Sequence, residues 1–132
     1  MMRAFATVPM VLSAVAVLAC ASPGRLTPAQ LEAALADSSY GYADSSPIQV
    51  GGGGRRGPYN ERRFLESLRG PQGQAVKFQR RGSCCSVGNP PTSILDIYEV
   101  TYEGLPEPAK LYLDMYVRRK VRAPNGFTRA PE

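Results

Sequence analysis

The amino-acid sequence predicts an α+β fold, a small antiparallel sheet of three or four strands with one or two helices, after an N-terminal signal peptide. Three observations predict it. Residues 94–103 and 110–117 alternate apolar and polar side chains, and a Gly- and Pro-containing stretch separates them, as in a wide hairpin. Residues 61–69 instead place Phe64, Leu65 and Leu68 at helical spacing. The first nineteen residues have the composition of an export leader.

In chain order, the 132 residues divide into a lipoprotein signal peptide (1–19), a tether with a short helix (20–38), a small α+β domain (39–128) and a frayed C-terminus (129–132). Arg3 supplies the positive charge of the leader, and Ala4 to Ala19 form an apolar run broken only by Thr7, Pro9 and Ser13. That run is shorter than the ~20 apolar residues of a membrane-spanning helix, and small residues close it. Val17-Leu18-Ala19-Cys20 has the layout of a bacterial lipobox, although Leu18 is bulkier than the usual residue there. Acylation of Cys20 is the favoured reading; plain cleavage near Ala19 or Ala21 and an uncleaved helix are the alternatives. Each buried methylene of an acyl chain contributes about 0.8 kcal/mol, and two chains already anchor a protein stably. The expected location is therefore the cell envelope, with the membrane as a partner through the lipid on Cys20. Ala21 rather than Asp follows the cysteine, which favours the outer membrane in a Gram-negative cell.

Thr27-Pro28-Ala29-Gln30 carries the signature of a helix start, with Leu26, Leu31 and Leu35 as a narrow apolar stripe. Ile48-Gln49-Val50 fits a short edge strand. Gly51 to Gly54 reads as a flexible linker rather than a phosphate cradle, because no Lys-Ser or Lys-Thr follows it. Asn60 is a suitable N-cap for a helix running from Glu61 to Arg69 and ended by Gly70-Pro71, with Arg62 and Glu66 spaced to pair. Val76 and Phe78 alternate with Lys77 and Gln79 in the next strand. The expected core is Phe64, Leu65, Leu68, Val76, Phe78, Ile97, Tyr98, Val100, Leu111, Leu113 and Met115, with Phe127 packing back from a C-terminal turn.

Composition excludes several chemistries. Histidine is absent, which removes Ser-His-Asp and Cys-His nucleophiles, His-ligated zinc and haem, and a histidine pH switch. No cofactor, metal site or catalytic residue is expected, and Asp96, Glu99, Glu103 and Asp114 read as salt-bridge partners. Loss of the leader leaves 15 basic and 11 acidic residues, a net charge of +4. Arg62, Arg63, Arg80 and Arg81 are candidate anion contacts. In an exported protein their natural partners are an anionic envelope component or an acidic protein rather than nucleic acid.

Cys84 and Cys85 are the only thiols left if Cys20 is acylated. Consecutive Cα atoms lie about 3.8 Å apart, below the usual disulfide range, so a bond between neighbours suits a switch or rigid contact surface better than a staple. Buried packing thiols and intermolecular bonding are the other readings; adjacent cysteines make a poor zinc site.

Tyr40-Gly41-Tyr42, Asn60-Glu61-Arg62-Arg63-Phe64-Leu65, Arg81-Gly82-Ser83-Cys84-Cys85, Tyr98 to Leu105 and Leu111 to Tyr116 occur in this order. The series resembles a family of small, uncharacterised bacterial lipoproteins, many of them from Bacteroidetes. The resemblance implies an envelope lipoprotein with no established activity. Some relatives carry the label of a 2-dehydro-3-deoxyphosphooctonate aldolase, yet that enzyme is a TIM barrel of ~250 residues, which the mature chain is too short to form. The expected function is a non-enzymatic binding or structural module. A thiol redox factor using Cys84 and Cys85 is the alternative, and the aldolase is a distant third.

Overall fold

The computed structural model describes residues 27–29, 38–87 and 93–131. The signal peptide, Cys20, residues 30–37 of the expected first helix, the 88–92 loop and Glu132 lie outside the described residues. The elements are β1 (Ile48–Gln49), α1 (Gly53–Ser67), β2 (Leu68–Arg69), β3 (Lys77–Val87), β4 (Ser93–Thr101), β5 (Ala109–Asp114) and β6 (Thr128–Arg129).

Alternation along β4 builds the core. Tyr98 and Val100 face α1, and their cross-strand partners Leu111 on β5 and Phe78 on β3 share that face. The sheet has the order β1-β5-β4-β3, with β1 parallel to β5 and the other pairs antiparallel. Helix α1 closes this face with Phe64 and Leu65, joined by Leu68 just beyond its end. Leu65, Leu68, Val100, Leu111 and Leu113 are fully buried, each contributing about 1.5–3 kcal/mol against chain entropy. Ile48, Val50 and Phe127 also belong to the core. Ile97 is half-buried and outside it, while Val76, Phe78 and Met115 pack at its margin.

Four elements differ from expectation, each for a local reason. Helix α1 begins at Gly53, so the glycine run is not a linker. Gly51, Gly52 and Gly53 have φ of 64°, 108° and 62°, and they turn the chain from β1 straight into the helix. A Cβ on Gly51 would stand 2.6 Å from Cβ of Arg118, so glycine also permits that close approach. Asn60 lies inside α1 instead of capping it, and its Nδ2 donates to the Gly51 carbonyl at 2.9 Å, tying the helix to the turn. Pro58 lies inside α1, at its sixth residue, where it removes one donor from the helix ladder.

The helix stops at Ser67. Leu68 and Arg69 pair with Arg129 and Thr128, and Ala130 N–H donates to Ser67 O at 2.7 Å, so the chain is pinned through residue 130 rather than frayed. Strand β5 ends at Asp114, three residues early, because Asp114 Oδ1 accepts the N–H groups of Tyr116 (2.8 Å) and Val117 (3.2 Å). The basic segment 118–122 therefore leaves the sheet. It is held beside β1 by the Val50–Arg118 bridge and by Arg119 N–H donating to Gln49 O at 3.0 Å. Finally, β3 runs on past the Val76–Gln79 alternation through Cys84 and Cys85 to Val87, with register shifts between Arg80 and Gly82 and between Cys84 and Ser86.

Two neighbouring glycines make opposite predictions. Gly51→Ala, left-handed and crowded by Arg118, should lose about 1–3 kcal/mol in urea unfolding. Gly54→Ala, helical and with open space around its Cβ position, should gain about 0.5–1 kcal/mol. Equal responses at the two sites would refute the turn's role.

Candidate anion-binding groove and the Cys84–Cys85 edge

Consecutive strand residues point to opposite faces, and Arg80 and Arg81 accordingly find separate partners across β4. Arg80 donates from Nε and Nη2 to Asp96 at 3.1 and 2.8 Å, and Ser83 Oγ donates to the same carboxylate at 2.9 Å. Arg81 makes a two-pronged contact with Glu99 at 2.9 and 3.0 Å. These two candidate anion contacts thus already hold carboxylates. Arg62 stands exposed on α1 and forms no ion pair with Glu66. Asp114, expected to pair with a base, instead holds the turn after β5 and accepts from Gln49 at 3.4 Å.

Beside the Arg80–Asp96 pair lies a buried acid the sequence did not single out. Glu61 is wholly buried on α1, accepts the Tyr98 hydroxyl at 2.9 Å through Oε2, and has no hydrogen bond at Oε1. Burial, with the Asp96 charge adding to it, pushes its carboxyl from the usual 4.5 up to about 8. Burial opposes ionisation of Asp96 as well, but the hydrogen bonds from Arg80 and Ser83 and the Arg80 charge outweigh it and hold Asp96 below its ordinary value. Burial and the two carboxyls raise the Tyr98 hydroxyl. One acid is kept neutral and its neighbour charged.

A different set of arginines converges. Arg63, Arg118, Arg119 and Arg129 line a cavity of about 400 Å3 between α1 and the C-terminal segment, and Glu66 is the sole carboxylate among the lining residues. Arg63 lies over the Tyr59 ring at 5.9 Å, and Arg129 lies over Phe64 at 5.5 Å while its Nε donates to Ser67 Oγ at 3.1 Å. Among the described residues, Arg63, Arg118 and Arg119 take part in no ion pair. The pinned 118–119 backbone and the helix fix where the three side chains leave the main chain. Of the expected anion contacts, then, only Arg63 reaches the groove. Arg118 belongs to the basic segment 118–122, and its approach to Arg63 depends on the turn at Gly51, which composition hides.

Cys84 and Cys85 are joined as a vicinal disulfide on β3, the end strand of the sheet. Cys85 is exposed and is the one non-glycine residue with positive φ (56°) among the described residues. Among those residues no helix is long and apolar enough to cross a membrane, and no three potential ligands gather at a metal site.

The Glu61 shift has a sign. Its folded-state pKa exceeds the unfolded value, so folding retains a proton that the unfolded chain releases. Stability should therefore fall as pH rises from about 4.5 to about 8. Below the usual 3.8, protonation of Asp96 should reduce it again. The Tm should be higher at pH 5 than at pH 8.5, and Glu61→Gln, which keeps an acceptor for Tyr98, should flatten that limb. An unchanged slope in the variant would assign the pH dependence elsewhere.

Comparison with protein-family models, with curated proteins and with solved structures finds no match for this chain.

Proposed function

We propose that the protein is a non-enzymatic binding module of the cell envelope, held to a membrane by lipid on Cys20, that takes an anionic component at the arginine groove. The observation that carries this reading is that Arg63, Arg118 and Arg119 line one cavity while none of them is in an ion pair among the described residues. Guanidinium groups that converge from anchored backbone onto one cavity suit phosphate or carboxylate oxygens. The export leader and the lipobox at Cys20 support the envelope setting, where such anions abound. The aldolase label of some relatives is not adopted, because an open four-stranded sheet differs from a TIM barrel.

Calorimetric titration of the protein with inorganic tripolyphosphate tests the groove. Arg118→Ala combined with Arg119→Ala should weaken binding by about tenfold, taking about 0.2–1 kcal/mol per lost exposed charge pair. Lys77→Ala combined with Lys110→Ala, which removes the same charge from the opposite sheet face, should change it less than twofold. Equal losses would reduce the effect to net charge. The anchor is tested separately: an inhibitor of lipoprotein signal peptidase should make the precursor accumulate, and normal maturation would rule out acylation of Cys20.

A second reading, a thiol redox factor, draws on the exposed Cys85 sulfur in the Cys84–Cys85 bond. A partner dithiol would reduce the bond to two thiols and leave as a disulfide. Purification with and without reductant should show an intrachain mass difference of two hydrogens, and loss of function in Cys84→Ser would establish this reading over the first.

A further inference from the structure

The anion reading leaves open what presents the charge. Two of the three exposed large apolar side chains among the described residues are tyrosines next to groove arginines: Tyr59 (58% exposed), which stacks under Arg63, and Tyr116 (44%), two residues before Arg118. Tyrosine beside arginine suits the membrane–water boundary, where the ring rests among glycerol and upper acyl carbons and the guanidinium meets phosphate. A purely aqueous polyanion would gain little from the exposed rings. Lys120 and Arg122 continue the basic segment along the chain and are exposed, with Arg122 lying over the Tyr40 ring at 4.4 Å. The cavity itself is an open groove, suited to a headgroup approaching from a surface.

Building on the anion-binding reading, we propose that the groove face docks on anionic lipid headgroups, with their phosphates held by Arg63, Arg118 and Arg119 and with Tyr59 and Tyr116 at the interface. The seventeen residues between Cys20 and Ser38 span at most about 60 Å, which lets a tethered domain reach the bilayer that holds it. A lipid anchor and a basic surface are also the kind of paired signals that together hold a protein on a membrane. The headgroup contact would then set which face of the domain lies against the membrane and leave the β3 edge, with Cys84 and Cys85, to other contacts.

Flotation of the full chain carrying Cys20→Ala, in which no acyl chain contributes, tests this. Vesicles of phosphatidylcholine alone are compared with vesicles containing three parts in ten phosphatidylglycerol. The chain should prefer the anionic vesicles by on the order of tenfold at low salt. Arg118→Ala with Arg119→Ala should abolish the preference, while Lys77→Ala with Lys110→Ala should keep it within twofold. Absence of a preference, or its equal loss in both variants, would overturn the proposal. Hydrogen exchange on the chain without groove substitutions gives an answer independent of their folding: anionic vesicles should protect amides 115–119 and spare 77–87, and the reverse pattern would refute docking by this face. A chain that binds tripolyphosphate at the groove yet ignores anionic vesicles sinks headgroup docking alone; one that binds neither sinks the anion reading too.

Discussion

The turn at Gly51 and Gly52 is the constraint on which the arrangement depends. It must carry the chain from the edge of the sheet into a helix lying over the sheet face, within a residue or two. It must also let the segment after β5 pass at contact distance. Only positive φ achieves the first, and only a missing Cβ permits the second. The hydrogen bonds around it complete the joint: Gly53 N–H donates to Met115 O at 2.7 Å, and Asn60 donates back to Gly51 O. Gly57 continues it, since a Cβ there would fall 2.6 Å from Met115 Cβ. Arg63 on the helix and Arg118 beyond the sheet are brought to one cavity by this joint, although 55 positions separate them in the chain.

The parts of the fold legible in the sequence were those written as local periodicity. The alternation in β4 and β5 and the apolar positions Phe64, Leu65 and Leu68 each carry their own pattern, and the α+β class follows from them. What escaped was set by partners distant in sequence. A run of Gly, Arg and Pro has poor helix propensity, so the first two turns of α1 depend on docking against Met115 and Asn60's reach to Gly51. The tail 128–130 has no strand signal of its own, yet Leu68 and Arg69 offer it an edge. The candidate site divides the same way. The adjacency of Cys84 and Cys85 is visible in sequence, whereas no spacing rule separates the arginines that meet carboxylates from those that do not.

That division follows from the sheet register. Asp96 and Glu99 lie on opposite faces of β4, and the bulge at Arg80–Gly82 leaves one arginine of β3 for each. The pair on the helix side also shapes the buried acid. With Arg80 and Ser83 both committed to Asp96, a second negative charge at Glu61 would be buried with one weak donor, the Tyr98 hydroxyl, to compensate it. Keeping Glu61 protonated is the cheaper state, and it places a neutral hydrogen-bonded link between helix and sheet where an apolar residue would serve packing alone. The polar network is therefore best understood as a fastening of α1, and so of Arg63, rather than as an acid–base centre.

The β3 edge completes the picture from the other side of the sheet. An exposed end strand of eleven residues is a template for unwanted pairing unless something interrupts it. Here two register shifts do so, and Cys85, held at φ 56° within the disulfide, sits at the second of them. A bond between neighbours cannot brace distant parts of the fold, but it can keep one residue out of the extended conformation that strand addition requires. On the proposed reading the vicinal pair serves the structure of this edge and needs no redox partner to account for its presence. This makes the edge a guarded surface and leaves the arginine groove, where Arg63, Arg118 and Arg119 have no carboxylate partners among the described residues, as the face best suited to engage another molecule.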